Sequence, residues 1–296
     1  MTTVKVSSLD KLALAPGDKI AIVAGSGRLP IDLAEHLTAR GIAPFIVMLG
    51  GEADACLAQF EHAVLALENA ATFSPLLKRH RVSHVVFGGE VSRRPRLRSM
   101  KLSLPLLALL PRVIMALTKG DDGLLRVLVD RVEAAGFRVV GAHQIMPDLL
   151  APEGTLTAAS PVRRDWADIQ AARQAALAIG ALDIGQAAIA IGGRAIALEG
   201  IEGTEGLLER VKALRTHGRI AGKKRGVLAK CCKPAQEERI DLPAIGPDTI
   251  RDAHAAGLAG VAVDAGRSLI LDCSTVIAEA NRLGLFVVGL PPDKTS

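Results

Sequence analysis

Lys19-Ile20-Ala21-Ile22-Val23-Ala24-Gly25-Ser26-Gly27-Arg28-Leu29-Pro30 decides the fold. A short apolar run ends in a glycine turn, and a helical pattern follows from Pro30 to Arg40, so the stretch reads as strand, turn and helix. Pro30 suits a first helical turn, where a missing N–H costs no hydrogen bond, and Gly41 marks the far end. Outward from there the cycle repeats. Phe45 to Leu49 reads as a strand, Ser74 to His80 as a helix, and Val85 to Phe87 as a strand entering the loop Gly88-Gly89-Glu90-Val91-Ser92-Arg93. Helical patterns over Leu106 to Ala116 and Asp122 to Ala135 precede a strand over Phe137 to Val140. Such alternation predicts an α/β unit with a parallel sheet covered by helices.

Gly141 to Pro161 is rich in Pro, Gly, Thr and Ala and is expected to link two units. The expected division is an extension over 1–18, an N-terminal Rossmann-like domain over 19–145, a linker over 146–164 and a C-terminal mixed α/β domain over 165–296. Within the last, Asp165 to Ala181 has alanine-rich helical periodicity. Ala187 to Ile191 and Arg194 to Glu199 are β-like runs joined by Gly192-Gly193, which signals a hairpin. Glu205 to Leu214, Pro247 to Ala256 and Ser274 to Leu283 read as helices; Gly226 to Lys230, Ser268 to Asp272 and Leu285 to Gly289 read as strands.

A chain of 296 residues can bury two cores without staples. Six Phe, one Trp and no Tyr leave it without the stacking platforms of single-strand binders, and its net charge of +5 is spread along the chain, which argues against a nucleic-acid partner. The densest basic cluster, Arg93, Arg94, Arg96, Arg98 and Lys101, precedes a leucine-rich run interrupted by Pro105 and Pro111. That pairing fits contact with an amphiphile, and equally a solvated loop entering a buried helix. Cys56, Cys231, Cys232 and Cys273 lack metal or redox spacing, so reduced cytosolic thiols are expected. The N-terminus carries Lys5, Asp10, Lys11 and Asp18 and reads as neither signal peptide nor anchor.

Several short motifs carry chemistry, each beside a plainer structural explanation. Ser26, Gly27 and Arg28 could bring a helix N-terminus against a phosphate, or simply make a tight turn. Pro30 stands where a dinucleotide fingerprint needs its third glycine, so NAD is disfavoured. Asp121 and Asp122 follow Lys119-Gly120; one serves as a helix cap, and the other is then spare for Mg²⁺. Asp183 and Gln186 lie at one end of the hairpin, and Glu202, Gly203 and Thr204 lie near its other end, where they also fit a turn before a helix. The strongest segment runs from Gly226 to Gly246. Val227, Leu228 and Ala229 lead to Lys230 and Lys233, whose charge suits phosphate oxygens, and Asp241 follows between Ile240 and Leu242, where it could hold a metal or orient water.

Taken in order, Leu-Asp-Ile-Gly-Gln from Leu182, Glu-Gly-Thr from Glu202, Gly-Val-Leu-Ala-Lys from Gly226, Lys-Pro-x-Gln-Glu-x-Arg from Lys233, Asp-Leu-Pro-x-Ile-Gly from Asp241 and Gly-Leu-Ala-Gly from Gly257 resemble the LpxI family of lipid A biosynthesis. The likeness runs from about Lys19 to Leu290, and Glu90 and Cys231-Cys232 depart from the family pattern. It implies an N-terminal Rossmann-like lobe, a C-terminal α/β lobe and a substrate site between them. It further implies hydrolysis of UDP-2,3-diacylglucosamine to UMP and 2,3-diacylglucosamine 1-phosphate with the assistance of a divalent metal, for which Mg²⁺ is the expectation and other divalent cations stay open.

On that resemblance Asp241 and Lys230 are the expected catalytic residues. Asp241, Asp122 and Glu202 are the expected metal ligands, and Ser26, Gly27, Arg28, Arg93, Asp121, Asp183, Gln186, Glu202, Gly203, Thr204, Val227 to Lys230 and Lys233 the expected substrate contacts. A cytoplasmic protein is expected, with transient inner-membrane contact and a homodimer as open readings. The alternative is a non-catalytic protein that binds a nucleotide sugar or an acyl lipid.

Overall fold

The computed structural model describes residues 12, 14–15, 17–91, 121–216, 220 and 225–292. The expected helix over Leu106 to Ala116, the basic cluster from Arg93 to Lys101, Lys119-Gly120 and most of the expected 1–18 extension lie outside the described residues. So do the side chains of Asp121 and Asp122, although their backbone is helical. Among the described residues there are two compact units: one takes those up to Pro147 together with Glu237–Asp241, the other Asp148–Gln236 and those from Leu242 onward.

In the first unit, β1 (Ile20–Ala24), β2 (Phe45–Leu49), β3 (His62–Leu65), β4 (His84–Gly88) and β5 (Arg138–Val140) form one sheet in the order β3-β2-β1-β4-β5. Every pairing is parallel. β1 and β2 are buried at every position, which is why they read as continuous apolar runs rather than alternating ones. Helix α1 (Leu29–Ala39) buries Pro30, Leu33, Ala34 and Leu37, a stripe at helical spacing, and packs on β1 and β4. On the opposite face, Leu77 of α2 (Phe73–Arg79) and Val129 and Val132 of α3 (Asp121–Ala134) join Ala21, Val23, Phe45, Val47, Val85 and Val139 in one core. The short α4 (Ala142–Ile145) follows β5.

The second unit holds a mixed sheet in the order β6-β13-β11-β9-β7-β8. Its strands are β6 (Gly154–Thr155), β7 (Ala187–Ala190), β8 (Ala195–Leu198), β9 (Val227–Lys230), β11 (Gly260–Asp264) and β13 (Phe286–Leu290). β9, β11 and β13 run parallel, whereas β7 runs antiparallel to β9 and, as the Gly192-Gly193 hairpin requires, to β8. Helix α5 (Arg163–Ala181) lays Ile169, Ala172 and Ala176 against Ala188, Val227, Ala229 and Ala262 on one face. Helices α6 (Gly203–Leu214), α7 (Pro247–Ala255) and α8 (Cys273–Leu283) cover the other, with Leu208, Val211, Ile250, Ala253, Val276 and Ala280 meeting Ile189, Leu228, Val261 and Val287. The Ser268 to Asp272 run is not part of this sheet. Its Leu269–Ile270, β12, pairs in parallel with Ala244–Ile245, β10, as a separate two-stranded ribbon.

Both expected lobes are therefore α/β, one parallel and one mixed. Besides the two-residue β6 and β10, two longer strands escape the sequence pattern. β3 is a half-exposed edge strand, and β11, wholly buried in the middle of the second sheet, begins at the last glycine of the run Gly257-Leu258-Ala259-Gly260.

Candidate active site

In the first sheet the strand order reverses between β1 and β4, the position at which doubly wound folds open a crevice beyond their carboxyl strand ends. The two loops leaving those strands are stitched together. Gly25 N donates to Gly88 O at 2.9 Å, Ser26 N to Glu90 O at 2.8 Å, and Glu90 N to Ser26 O at 3.0 Å. The Ser26 hydroxyl also donates to Glu90 O, at 3.1 Å. The backbone N–H groups of Gly25 and Ser26 are thus engaged within the protein, and a phosphate at this turn would meet Gly27 and the start of α1. Arg28 is exposed and pairs with Asp32 at 2.6 Å and Glu35 at 3.2 Å. Arg93 lies outside the described residues.

Asp241 sits half-buried in a turn in which Glu237 O accepts from both Ile240 N and Asp241 N, each at 3.0 Å. Its neighbours fasten this turn to the first unit. Ile240 packs against that unit's core, and Arg239 reaches Glu133 of α3 at 2.8 Å while also pairing with Glu237 at 2.8 Å. The Arg239 hydrogen bonds hold the Glu237 carboxyl below its ordinary range.

The carboxyl ends of β9, β11 and β13 carry a second constellation. Asp264, buried at the end of β11, accepts from Cys232 N at 3.0 Å. Arg173 approaches Asp264 Oδ1 at 3.1 Å as an ion pair without hydrogen-bond alignment, and donates to Pro291 O at 3.1 Å. These contacts fix the loop that carries Lys233. Its Nζ meets Asp183 Oδ1 at 2.5 Å, and its backbone N–H donates to Gln236 Oε1 at 2.8 Å. Gln236 Nε2 reaches Gln186 Oε1 at 3.4 Å. The Gln186 backbone N–H donates to Glu199 Oε2 at 2.7 Å, and the Thr204 hydroxyl donates to Glu199 Oε1 at 2.6 Å. Gly185 makes this possible, because a β-carbon there would lie 2.6 Å from Glu199 O.

The expected residues Asp183, Gln186, Thr204 and Lys233 are thus brought into one chain of polar contacts. Glu199 and Gln236, both buried, complete it; neither is among the expected site residues, although Gln236 stands in the Lys-Pro-x-Gln motif. A polar residue at the last position of a hairpin strand was the available signal for Glu199. Other expected residues point elsewhere. Val227, Leu228 and Ala229 have no exposed surface and fill the two cores, so β9 can offer a ligand only its end. Lys230 Nζ, at that end, donates to Ala244 O at 3.0 Å. Glu202 is exposed and its carboxylate pairs with Arg210 at 2.6 Å, while Gly203 opens α6 with a positive φ of 70°. Among the described residues, no three His, Cys, Asp or Glu side chains are grouped to hold a metal. None of the described helices is long and apolar enough to cross a membrane.

Comparison with known proteins covers both units. Residues 19–149 match the LpxI N-terminal domain and residues 152–288 the LpxI C-terminal domain. The UDP-2,3-diacylglucosamine pyrophosphatase LpxI of Caulobacter vibrioides is 41% identical over 277 residues, which span 93% of this chain and 99% of that protein. With both domains present in order and a relative alike over nearly its whole length, the chain belongs to the LpxI family.

Proposed function

We propose that this protein hydrolyses the pyrophosphate bond of UDP-2,3-diacylglucosamine, releasing UMP and 2,3-diacylglucosamine 1-phosphate for lipid A synthesis. The observation that carries this reading is the 41% identity to a pyrophosphatase over 93% of the chain. In the reaction water adds to one phosphorus, the bond from that phosphorus to the bridging oxygen breaks, and the bridging oxygen leaves on the other phosphate. Attack at either phosphorus gives the same two products.

The residues supply positioning and charge. Lys233, held by Asp183 and by its loop, is placed to offset phosphate charge, and such electrostatic stabilisation is the dominant contribution of proteins to phosphoryl chemistry. Asp241, on its fastened turn, orients the attacking water. Lys230 closes the end of β9, and Gln186 and Thr204 contact the substrate's polar groups. Ser26, Gly27 and Arg28 form a second polar contact at the first sheet's crevice.

Mg²⁺ is the cation proposed to assist. Its preference for oxygen donors, only one or two of them protein carboxylates, suits Asp241 with Asp122 and does not require a cluster of three. When bound it would offset charge on the pyrophosphate oxygens. Glu202, paired with Arg210, is the weaker candidate ligand.

Exposed aliphatic side chains occur on the same two loops as the polar chain: Leu182, Ile184 and, 97% exposed, Ile201. They supply apolar contact for acyl chains, and the reading carries with it transient contact with the inner-membrane surface. The test is incubation of the purified protein with UDP-2,3-diacylglucosamine, with and without Mg²⁺, following UMP. Mg²⁺-dependent release is expected; an inactive wild-type protein overturns the proposal.

A further inference from the structure

We infer that Glu199 is a positioning residue that fixes the direction of the Thr204 hydroxyl, making Thr204 a hydrogen-bond acceptor toward a ligand N–H or O–H rather than a donor to phosphate. The inference rests on the pyrophosphatase reading for its substrate. Proton counting fixes the direction. Glu199 is buried, at 6% exposure, and each of its carboxylate oxygens meets one donor. Oε2 takes the Gln186 backbone N–H at 2.7 Å, and Oε1 takes Thr204 Oγ1 at 2.6 Å. A carboxylate has lone pairs and no proton, so the one hydroxyl proton of Thr204 must point at Oε1. Charge-assisted bonds of this kind are short and strong, which makes the orientation costly to reverse. Two lone pairs then remain on the Thr204 oxygen, and they can only accept.

The side chain is in a position to use them. Thr204 is half-exposed in the first turn of α6, whereas Glu199 behind it is buried with Gly185 packed closely against it. Phosphate oxygens are acceptors and gain nothing from such a group. The proposed substrate carries donors at two ends: the uracil imide N–H and ribose hydroxyls on one side, and the acylamide N–H and sugar hydroxyls on the other. The shared chemistry is a neutral N–H or O–H, and the two products separate the ends.

The test uses the full chain and the variants Thr204→Val, Thr204→Ser, Glu199→Gln and Glu199→Gln with Thr204→Val, each checked for an unchanged melting transition. KM and kcat are measured with UDP-2,3-diacylglucosamine, and binding of UMP and of 2,3-diacylglucosamine 1-phosphate is measured by calorimetry. Thr204→Val is expected to raise KM about ten-fold with a smaller change in kcat, as for a lost hydrogen bond of about 1.4 kcal/mol, while Thr204→Ser retains wild-type KM. Glu199→Gln, whose amide can turn the hydroxyl round, is expected to raise KM in the wild-type background and to add nothing in the Thr204→Val background. Weakened binding of UMP alone places the donor on the uridine end, and weakened binding of the lipid product alone places it on the sugar end. Wild-type KM and wild-type binding of both products in Thr204→Val overturn the inference, as does a Glu199→Gln effect of equal size in both backgrounds. If Glu199→Gln fails to fold, the Val and Ser variants decide it. A wild-type protein that binds the products without releasing UMP refutes the pyrophosphatase reading, and the calorimetry still decides the direction of Thr204.

Discussion

Lys233 and Asp183 meet at 2.5 Å across fifty residues of sequence, with side chains only 10% and 15% exposed. Removing one partner of a buried pair strands the other, at roughly 3–5 kcal/mol when burial is complete. For this slightly exposed pair, Lys233→Met is expected to destabilise by about 2 kcal/mol in urea unfolding, and the double change with Asp183→Leu to recover part of it. A wild-type unfolding midpoint for Lys233→Met would mean that the pair does not hold the loop.

Gly25 and Glu90 are in contact so close that a β-carbon at residue 25 would lie 2.2 Å from the Glu90 carbonyl oxygen. Gly89, at φ 84°, is equally constrained, its β-carbon falling 2.3 Å from Ser26 O. Gly25→Ala must therefore part the two loops and break the Ser26 to Glu90 bonds. The expected outcome is faster amide exchange at Ser26 and Glu90 and a loss of about 2–3 kcal/mol, the range of a lost backbone pairing with steric strain. Unchanged exchange at both amides contradicts the stitched-loop geometry.

Arg239 joins the turn of Asp241 to Glu133, so its loss is felt at Asp241 without direct contact with substrate. Arg239→Ala is expected to lower UMP release about ten-fold, equivalent to about 1.4 kcal/mol, with little change in KM. Restored activity in Arg239→Lys would show that charge alone suffices, and equal activity in Arg239→Ala would remove the positioning role.

His84 and His143 supply the pH dependence. Burial pushes both imidazoles below their ordinary value of 6.5, with Asp18 and Glu238 respectively opposing the shift. The unfolded chain therefore binds protons first as pH falls through about 6.5, and stability declines from there toward the lower folded values. Above that window the two groups contribute no slope. Denaturation midpoints are expected to be flat from pH 8 to 7 and to fall toward pH 5, with a shallower fall in His143→Asn. A slope of the opposite sign rejects the assignment.

The alternation of strand, glycine turn and helix around Gly25 made the first unit legible, because parallel strands buried on both faces announce themselves as apolar runs. Gly192-Gly193 announced the hairpin in the same way. β11 did not, since Gly260 opens it and Gly257 precedes it, and glycine reads as loop until the packing of Phe286 over Gly260 is seen. β3 buries only Leu65, so its apolar run from Ala63 to Leu67 lacks the two-sided burial that marks a core strand. In the polar chain, Asp183, Gln186, Thr204 and Lys233 were visible as motif residues. The part played by Glu199 and Gln236 was not, because burial of a carboxylate and an amide depends on partners thirteen and fifty residues away. The full depth of Val227, Leu228 and Ala229 follows from α5 on one face of β9 and α6, α7 and α8 on the other, a packing that no local motif announces.

Asp241 is the residue on which the proposed chemistry depends most, and the most direct measurement is UMP release from UDP-2,3-diacylglucosamine by Asp241→Asn beside wild type in saturating Mg²⁺. An isosteric amide preserves the turn while removing the charge, so a fall in kcat of at least about a hundred-fold, with an unchanged melting transition, is expected. Full activity in Asp241→Asn would contradict the account.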